Sequence, residues 1–403
     1  MKTREVKLGE VANVKRWWKR IPKGIGLINI PNGHPYIRVR DLNNKRLLEL
    51  DNSYEYVDNE TQKVISKYTV KTGDVVLSIV GTIGLVAIVG RTLDGANLTE
   101  NCVKLSSFHG VNRDFLYYYL RSDCGQQEIR CGTVGAVQAK LPIKNIQNIA
   151  INLPDYTTQE RIASLLLSID RKIELNQKIN DNLEQQAVAL FKSWFVDFSL
   201  FGGTVPENWE DTTLENITTL ITRGIAPKYS DNSDQTVVNQ KCIRNHTIDL
   251  SLARTHTPKA INEKWLKFGD LLINSTGDGT LGRVAQVWFT PKALTVDSHV
   301  TIVRPAREEL IFYIGLWGIL HEKEIESLHT GSTGQTELPR DRVKMLKLLL
   351  PDDSSLSRFN SIIAPMAPTI ISNQEENQKL ASLRDTLLPK LMSGEIDVSN
   401  IQL

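Results

Sequence analysis

The chain says almost everything twice, so a fold that suits one half must also suit the other. A Gly-Asp-apolar run at Gly73, Asp74, Val75, Val76 and Leu77 returns as Gly269, Asp270, Leu271, Leu272 and Ile273. A Leu-Pro pair at Leu153 and Pro154 returns at Leu350 and Pro351, 197 positions on (350 − 153). Two copies account for nearly all of the 403 residues. A period this long describes two complete domains, not a solenoid of small units. Pseudo-two-fold symmetry of this kind matches a ligand or partner that itself comes in two parts.

Two or three ordinary hydrophobic cores fit this length. With 41% hydrophobic and 23% charged residues, the composition is that of a soluble globular protein. The formal net charge is only +2, so a polyanionic partner would have to be met by local clusters of cations. Cys102, Cys124, Cys131 and Cys242 form no Cys-x-x-Cys pair and fall three to one between the copies. That argues against a disulfide framework or zinc site and suits a reducing cytoplasm. The stretch Met1 to Glu10 is charged and has no apolar signal core. Val75 to Gly90 is nearly uncharged, yet it is shorter than the ~20 residues of a spanning helix. Its counterpart carries Asp278 and Arg283, which lipid would not tolerate cheaply. The segment reads as strand, glycine turn, strand, with no membrane partner.

Each copy opens with about 150 residues of short β-branched runs broken by Gly, Asn, Asp and Pro, the pattern of a β-rich mixed globule. Leu8 matches Leu214, Pro22-Lys23 matches Pro227-Lys228 and Ile37-Arg38 matches Ile243-Arg244, at offsets of 205 or 206. The offset falls to 196 at the Gly-Asp run, so the first copy holds about ten extra residues near positions 43 to 70. A helical stretch at Phe115 to Ser122 matches Phe312 to Gly318.

Beyond Leu-Pro the pattern changes. Thr157 to Phe195 contains neither Gly nor Pro, and Thr158 before Gln159, Glu160 and Arg161 marks a helix start. Ile162, Ile169, Asn176, Leu183 and Leu190 recur every seven residues, and Leu166, Ile173, Asn180, Ala187 and Trp194 form a companion seam. These are coiled-coil heptads interrupted by two asparagines. In the second copy the seams read Phe359, Met366, Asn373, Leu380, Leu387 and Ile363, Ile370, Asn377, Arg384, Leu391. Both asparagines return in register. The economical reading is an antiparallel pair of long helices, ~60 Å for about 40 residues at 1.5 Å per residue. Asn176, Asn180, Asn373 and Asn377 would fix its register at some cost in stability; the competing reading leaves them facing solvent. Pro365 and Pro368 predict a break or kink near residues 363 to 368, with the helix resuming to about Leu391. The predicted architecture is α+β, two similar globules joined by two long helices. The predicted divisions are residues 1–154, 155–200, 201–351 and 352–403.

No catalytic constellation emerges. The sequence has no GxxxxGK[ST] loop, no Asn-Pro-Pro-aromatic motif, no Gly-x-Ser-x-Gly elbow and no HExxH. The seven histidines, His34 and His299 among them, are dispersed. The chain therefore reads as a recognition protein with no metal or cofactor of its own. Lys15, Arg16, Trp17, Trp18, Lys19, Arg20 and Lys23 gather five cations and two aromatics in nine residues. Such cations neutralise phosphates, and the tryptophans either stack or pack inward. Arg38 and Arg40 alternate with Ile37 and Val39, which puts both cations on one strand face where Arg can read guanine; ion pairs to Asp41 or Glu49 are the competing reading. In the second copy Arg223, Lys228, Tyr229 and Arg244 are the corresponding candidates, and the glycine turns add Thr82 and Thr280. Gly132-Thr133-Val134-Gly135, followed by Gln138 and Lys140, parallels Gly331-Ser332-Thr333-Gly334 with Gln335 and Arg340. Glycines permit close backbone approach, and hydroxyls and amides read bases or phosphates.

Taken in order, several stretches resemble the specificity subunits of type I restriction-modification systems. They are the Gly-Asp runs with their glycine turns (Gly73 to Gly84, Gly269 to Gly282), the Gly-Thr-Val-Gly loop, and Leu-Pro into Gln159-Glu160-Arg161-Ile162. The others are Leu190-Phe191-Lys192-Ser193-Trp194-Phe195, Val205-Pro206-Glu207-Asn208-Trp209, and Leu387-Leu388-Pro389-Lys390-Leu391-Met392-Ser393-Gly394-Glu395-Ile396. The resemblance covers essentially the whole chain. It implies two target recognition domains, each reading half of a split double-stranded DNA site. It also implies a helix pair that sets the gap and docks two methyltransferase subunits, and motor subunits that cut. S-adenosylmethionine, ATP and Mg2+ would sit on those partners. Asp352, Asp353 and Ser357 depart from the Gln-Glu helix start. A reader borrowed by another restriction or methylation type, or a coiled-coil scaffold without a DNA role, are the alternatives.

Overall fold

In the computed structural model, which describes residues 3–16, 21–43, 45–135, 138–277, 279–331 and 336–398, the repeated Gly-Asp run is the hub of each copy. Gly73 and Gly269 sit at φ +86° and +89°, left-handed backbone that glycine adopts without strain. The aspartate after each closes the turn: Asp74 accepts from the Lys71 N–H (2.9 Å) and Asp270 from the Lys267 N–H (2.8 Å). Each carboxylate also holds a cation from the neighbouring strand. Lys104 Nζ lies 3.4 Å from Asp74, and Arg304 grips Asp270 through two nitrogens at 2.8 and 2.7 Å. The apolar residues that follow form the strands Val75–Ser78 and Leu271–Asn274, buried at every position. The duplicated motif is thus a folding device before it is anything else.

The chain divides into two compact units, Met1–Glu174 with Asn377–Leu403, and Leu175–Glu376. The first unit has a five-stranded sheet ordered Asn13–Lys15, Cys102–Ser106, Val75–Ser78, Val86–Val89, Leu47–Leu48. Its three-stranded sheet runs Glu55–Tyr56, Pro35–Ile37, Asn97–Leu98, with the last pair parallel. Thr3–Lys7 pairs with Ala150–Pro154. The second unit repeats this plan: Thr218–Arg223, Val300–Pro305, Leu271–Asn274, Val284–Gln286 in one sheet. Arg254–Thr255, Thr236–Val238 and Leu294–Val296 form the other, again with a parallel last pair. Glu210–Thr213 pairs with Lys347–Leu350. The extra residues of the first copy include the helix Asn59–Ile65, capped by Asp58 on the Thr61 N–H.

One continuous helix of 40 residues runs from Tyr156 to Phe195. It starts two residues before Thr158, because Asp155 is the cap: its carboxylate accepts the Thr158 N–H at 3.0 Å. Asp352 does the same for Asp353–Ile363, accepting the Ser355 N–H at 3.0 Å. The shared start is therefore Leu-Pro-Asp, and Asp352 is an equivalence between the copies where the sequence suggested a departure. The second helix ends at Ile363 and resumes as Met366–Ser393. Pro365 lies in that gap, and Pro368 falls in the first turn, where its missing N–H costs nothing.

Within each unit the two helical segments run antiparallel. In the first, Asp170 meets Arg384 at 2.8 Å, and Arg161 donates to the Val398 carbonyl at 3.4 Å. In the second, the Asn373 amide donates to Asn180 Oδ1 at 2.8 Å, and Trp194 packs on Phe359. Ile162, Leu166, Ile169, Asn176, Asn180, Ala187 and Trp194 are all buried, as a seam requires. Leu391 and Met392 join the first unit's core. Phe191, Trp194, Phe195, Trp209, Tyr313 and Phe359 build an aromatic core in the second. Trp209 Nε1 donates to Asp352 at 2.8 Å, tying the start of that globule to a helix cap. Among the described residues no helix is long and apolar enough to cross a membrane.

Candidate nucleic-acid interface

The same three segments converge in each unit. After Val75–Ser78 comes a turn with Gly81 and Gly84 at positive φ. At its base, Ile79 N–H donates to the Asn101 carbonyl (2.8 Å) and Leu141 N–H to the Ile79 carbonyl (3.0 Å). Val134 and Lys140 then exchange a pair of backbone hydrogen bonds at 2.9 Å, closing a small loop. In the second unit Ser275 N–H donates to the His299 carbonyl (2.8 Å) and Leu338 N–H to the Ser275 carbonyl (2.8 Å). Thr330 and Glu337 close the loop at 2.8 and 2.9 Å. Strand end, glycine turn and polar loop are thus pinned together by the same main-chain bonds in both units. Exposed side chains such as Thr82, Gln138 and Lys140 stand on that frame, which is the arrangement of a rigid scaffold carrying variable contact residues.

The sequence candidates distribute as follows. In the first unit Lys15, Lys23, Thr82, Gln138 and Lys140 are exposed, with Thr82, Gln138 and Lys140 on the converging segments. Arg16 Nε donates to the Glu100 carbonyl at 3.0 Å. The Thr133 hydroxyl is spent on the Ile129 carbonyl (2.8 Å), closing a helix C-terminus. Trp17, Trp18, Lys19 and Arg20 lie outside the described residues, as do Ser332, Thr333 and Gln335. In the second unit Lys228 and Arg244 are exposed. Tyr229 lies under the Arg254 guanidinium, 3.7 Å from its ring centre. The Thr280 hydroxyl bonds Gly277 and Thr276 carbonyls within its own turn. Arg223 pairs with Glu337 at 2.7 Å. Asn176 donates to Glu376 at 2.7 Å, and Asn180 to the Ile370 carbonyl at 3.3 Å, while Asn373 and Asn377 are half-buried.

Two expectations are corrected. Arg38 and Arg40 do not alternate along a strand: Pro35–Ile37 ends before them, and Val39–Leu42 is a 3-10 turn. The cause is Asp41, whose carboxylate captures the Arg38 N–H at 2.7 Å and turns the chain. Burial pushes the Asp41 carboxyl up to about 6, with Arg40 opposing the shift. The two guanidinium groups still converge, on Glu55, which pairs with Arg38 and lies 2.9 Å from Arg40. Second, the counterpart of Lys140 is Glu337, not Arg340, because the Leu141-Pro142 and Leu338-Pro339 pairs align at the same offset as the later Leu-Pro. That repeated pair was the missed signal, and Glu337 and Lys264 the missed residues.

Each unit also joins its sheet edge to the long helix differently. Arg46 holds Glu174 through two bonds of 2.8 and 3.0 Å. In the second unit Asn245 and His246 form a hairpin tip at positive φ, and His246 lies 3.4 Å from Glu322. Burial pushes the helix carboxyl Glu184 up to about 7; Asp181 adds to the rise and His246 opposes it.

Residues 2–185 match the type I restriction modification DNA specificity domain. The chain is 25% identical to the type I restriction enzyme MjaIX specificity subunit of Methanocaldococcus jannaschii, over 91% of this chain and 88% of that one. It is 23% identical to the HindI specificity subunit of Haemophilus influenzae, over 67% of this chain and 73% of the other. Its fold is similar to the crystal structure of a type I restriction-modification S subunit from M. genitalium, with a TM-score of 0.56, 15% identity, and 97% and 99% of the two chains covered. Duplicated globules, antiparallel helical segments and these relatives agree: over nearly its whole length the chain is similar to the specificity subunits of type I restriction-modification systems.

Proposed function

We propose that each unit reads one half of a bipartite, asymmetric site in double-stranded DNA, through the three converging segments. The long helices set the gap between the halves and dock two methyltransferase subunits in the cytoplasm, with motor subunits completing the complex. This chain carries no catalysis. Adenine methylation with S-adenosylmethionine and ATP-driven cleavage with Mg2+ belong to the partners. The observation that carries the reading is the same loop assembly built twice on one main-chain plan, from residues that differ: a reader for two unlike half-sites needs that combination. Phosphate contacts would position the protein and base contacts would specify the sequence.

The test is methylome sequencing of a host carrying the complete system. Exchanging residues 1–154 for those of another specificity subunit should change one half-site and leave the other. Removing seven residues from each long helix should shorten the gap and leave both half-sites intact. An unchanged gap refutes the spacer role, and two altered half-sites refute the division of labour.

A further inference from the structure

The second unit holds a cavity of about 330 Å3 that the recognition scheme above leaves without a role. Thr222, Arg223, Gly224, Lys264, Glu337 and Arg340 line it. Four separate stretches of chain contribute: the end of the strand Thr218–Arg223, Lys264, the loop residue Glu337, and Arg340 at the start of a short helix. Three cations face one carboxylate, so the cavity is electropositive even with its ion pair made.

Arg223 is the central group. Nη1 is 2.7 Å from Glu337 Oε1, and Nη2 donates to the Leu338 carbonyl at 3.0 Å. Nε is buried without a hydrogen-bond partner among the described residues. A buried guanidinium donor without an acceptor is a cost that an incoming anion would remove. Lys264 Nζ donates to the Gly224 carbonyl at 3.0 Å and has two further N–H groups to offer. Glu337 is the more exposed partner. Its side chain is 56% exposed against 25% for Arg223, so the pair is screened and weak. Glu337 also belongs to the loop that the main chain pins against the glycine turn. The cavity therefore borders the surface assigned to DNA.

We propose that this cavity is a phosphate pocket for the DNA backbone and that Glu337 is its displaceable plug. A phosphodiester oxygen takes the place of the Glu337 carboxylate on Arg223, with Lys264 and Arg340 completing the cradle. Guanidinium binds phosphate and carboxylate through the same fork of donors, so the exchange conserves hydrogen bonds while releasing counterions from the duplex. The first unit puts Lys140 where the second has Glu337, so there the same loop position is cationic and needs no exchange. This inference rests on the DNA-recognition reading and adds a specific anchor to it.

The experiment measures binding of the full-length chain to a fluorescent duplex of arbitrary sequence across a salt series. Arg223→Ala and Lys264→Ala should each weaken binding and flatten the slope of log K against log salt by about 1. Glu337→Gln should bind several-fold more tightly at fixed salt, a gain that misfolding cannot produce. That gain should vanish in the Arg223→Ala background, since the two residues act as a pair. If wild-type binding is salt-dependent but the Glu337→Gln gain is missing, or survives without Arg223, the pocket is overturned and DNA recognition stands. If the wild-type chain shows no salt-dependent binding, the DNA reading falls and the pocket with it. Inorganic phosphate should displace the duplex better than chloride at equal ionic strength and lose that advantage in Arg223→Ala; an advantage unchanged in that variant overturns the pocket.

Discussion

Lys140 and Glu337 occupy the same place in two copies of one loop and carry opposite charge. Each exchanges two main-chain hydrogen bonds with its loop partner, Val134 or Thr330, and each is followed by a buried leucine and then a proline. At this position the copies therefore differ in a side chain that the shared main-chain bonds do not use. The helix contacts differ in the same way. Where the first unit buries a charge pair, Asp170 with Arg384, the second buries an amide pair, Asn180 with Asn373. A duplicated scaffold fixes the main chain and leaves the chemistry of each half to diverge.

The seam gives the sharpest test of that contrast. Asp170 is 4% exposed and is also held by the Tyr118 hydroxyl at 2.6 Å. Arg384→Met would strand a buried carboxylate, at about 3–5 kcal/mol. Asn373→Leu in the other unit strands a neutral amide, at about 1–3 kcal/mol. Urea unfolding measures both, and equal losses would erase the distinction between an ionic and an amide seam.

Next in size is a pair of glycines in the equivalent turns. Gly84 and Gly282 sit at φ +93° and +82°, so alanine at either costs about 1–2 kcal/mol of left-handed strain. A Cβ on Gly84 meets the end of the flexible Gln126 side chain at 2.7 Å, whereas one on Gly282 meets the Glu326 Cα at 2.6 Å. Gly282→Ala should therefore lose more stability in thermal melts than Gly84→Ala. The reverse order would mean that the two turns are not packed as described.

A last test reads the second unit's helix contact by pH. Arg46 keeps its charge across neutral pH, because guanidinium does not titrate there. Glu184 titrates near 4.5 when free and is raised to about 7 in the fold. Its contribution to stability is complete below the lower value and lost as pH rises through the upper one. Glu184→Gln keeps a neutral group throughout. It should resemble the wild type at pH 5 and exceed it at pH 8.

Much of this was legible in the chain. The Gly-Asp runs announced their turns because only glycine takes that backbone freely and only a short carboxylate closes it. The heptads announced a seam that buries Ile162, Leu166, Ile169, Ala187 and Trp194. What stayed hidden were decisions made by partners distant in sequence or by local capture of an N–H. Nothing near Arg38 and Arg40 points to Glu55, and alternation there suggested a strand that Asp41 cuts short. Asp155 and Asp352 follow Leu-Pro in both copies, yet the more familiar Thr-x-x-Arg pattern drew attention past the first of them. Glu337 was masked by a glycine loop whose own spacing points to Arg340.

An all-leucine seam could slide by one heptad and lose little. Here a seven-residue slip would bring Leu391 or Asn377 opposite Asp170, leaving an ion marooned in hydrocarbon or beside a mere amide. The polar groups thus act as a lock with one key position, and the wrong alignments are penalised before any DNA is met. A change to either globule that leaves the helix seam untouched leaves that lock closed.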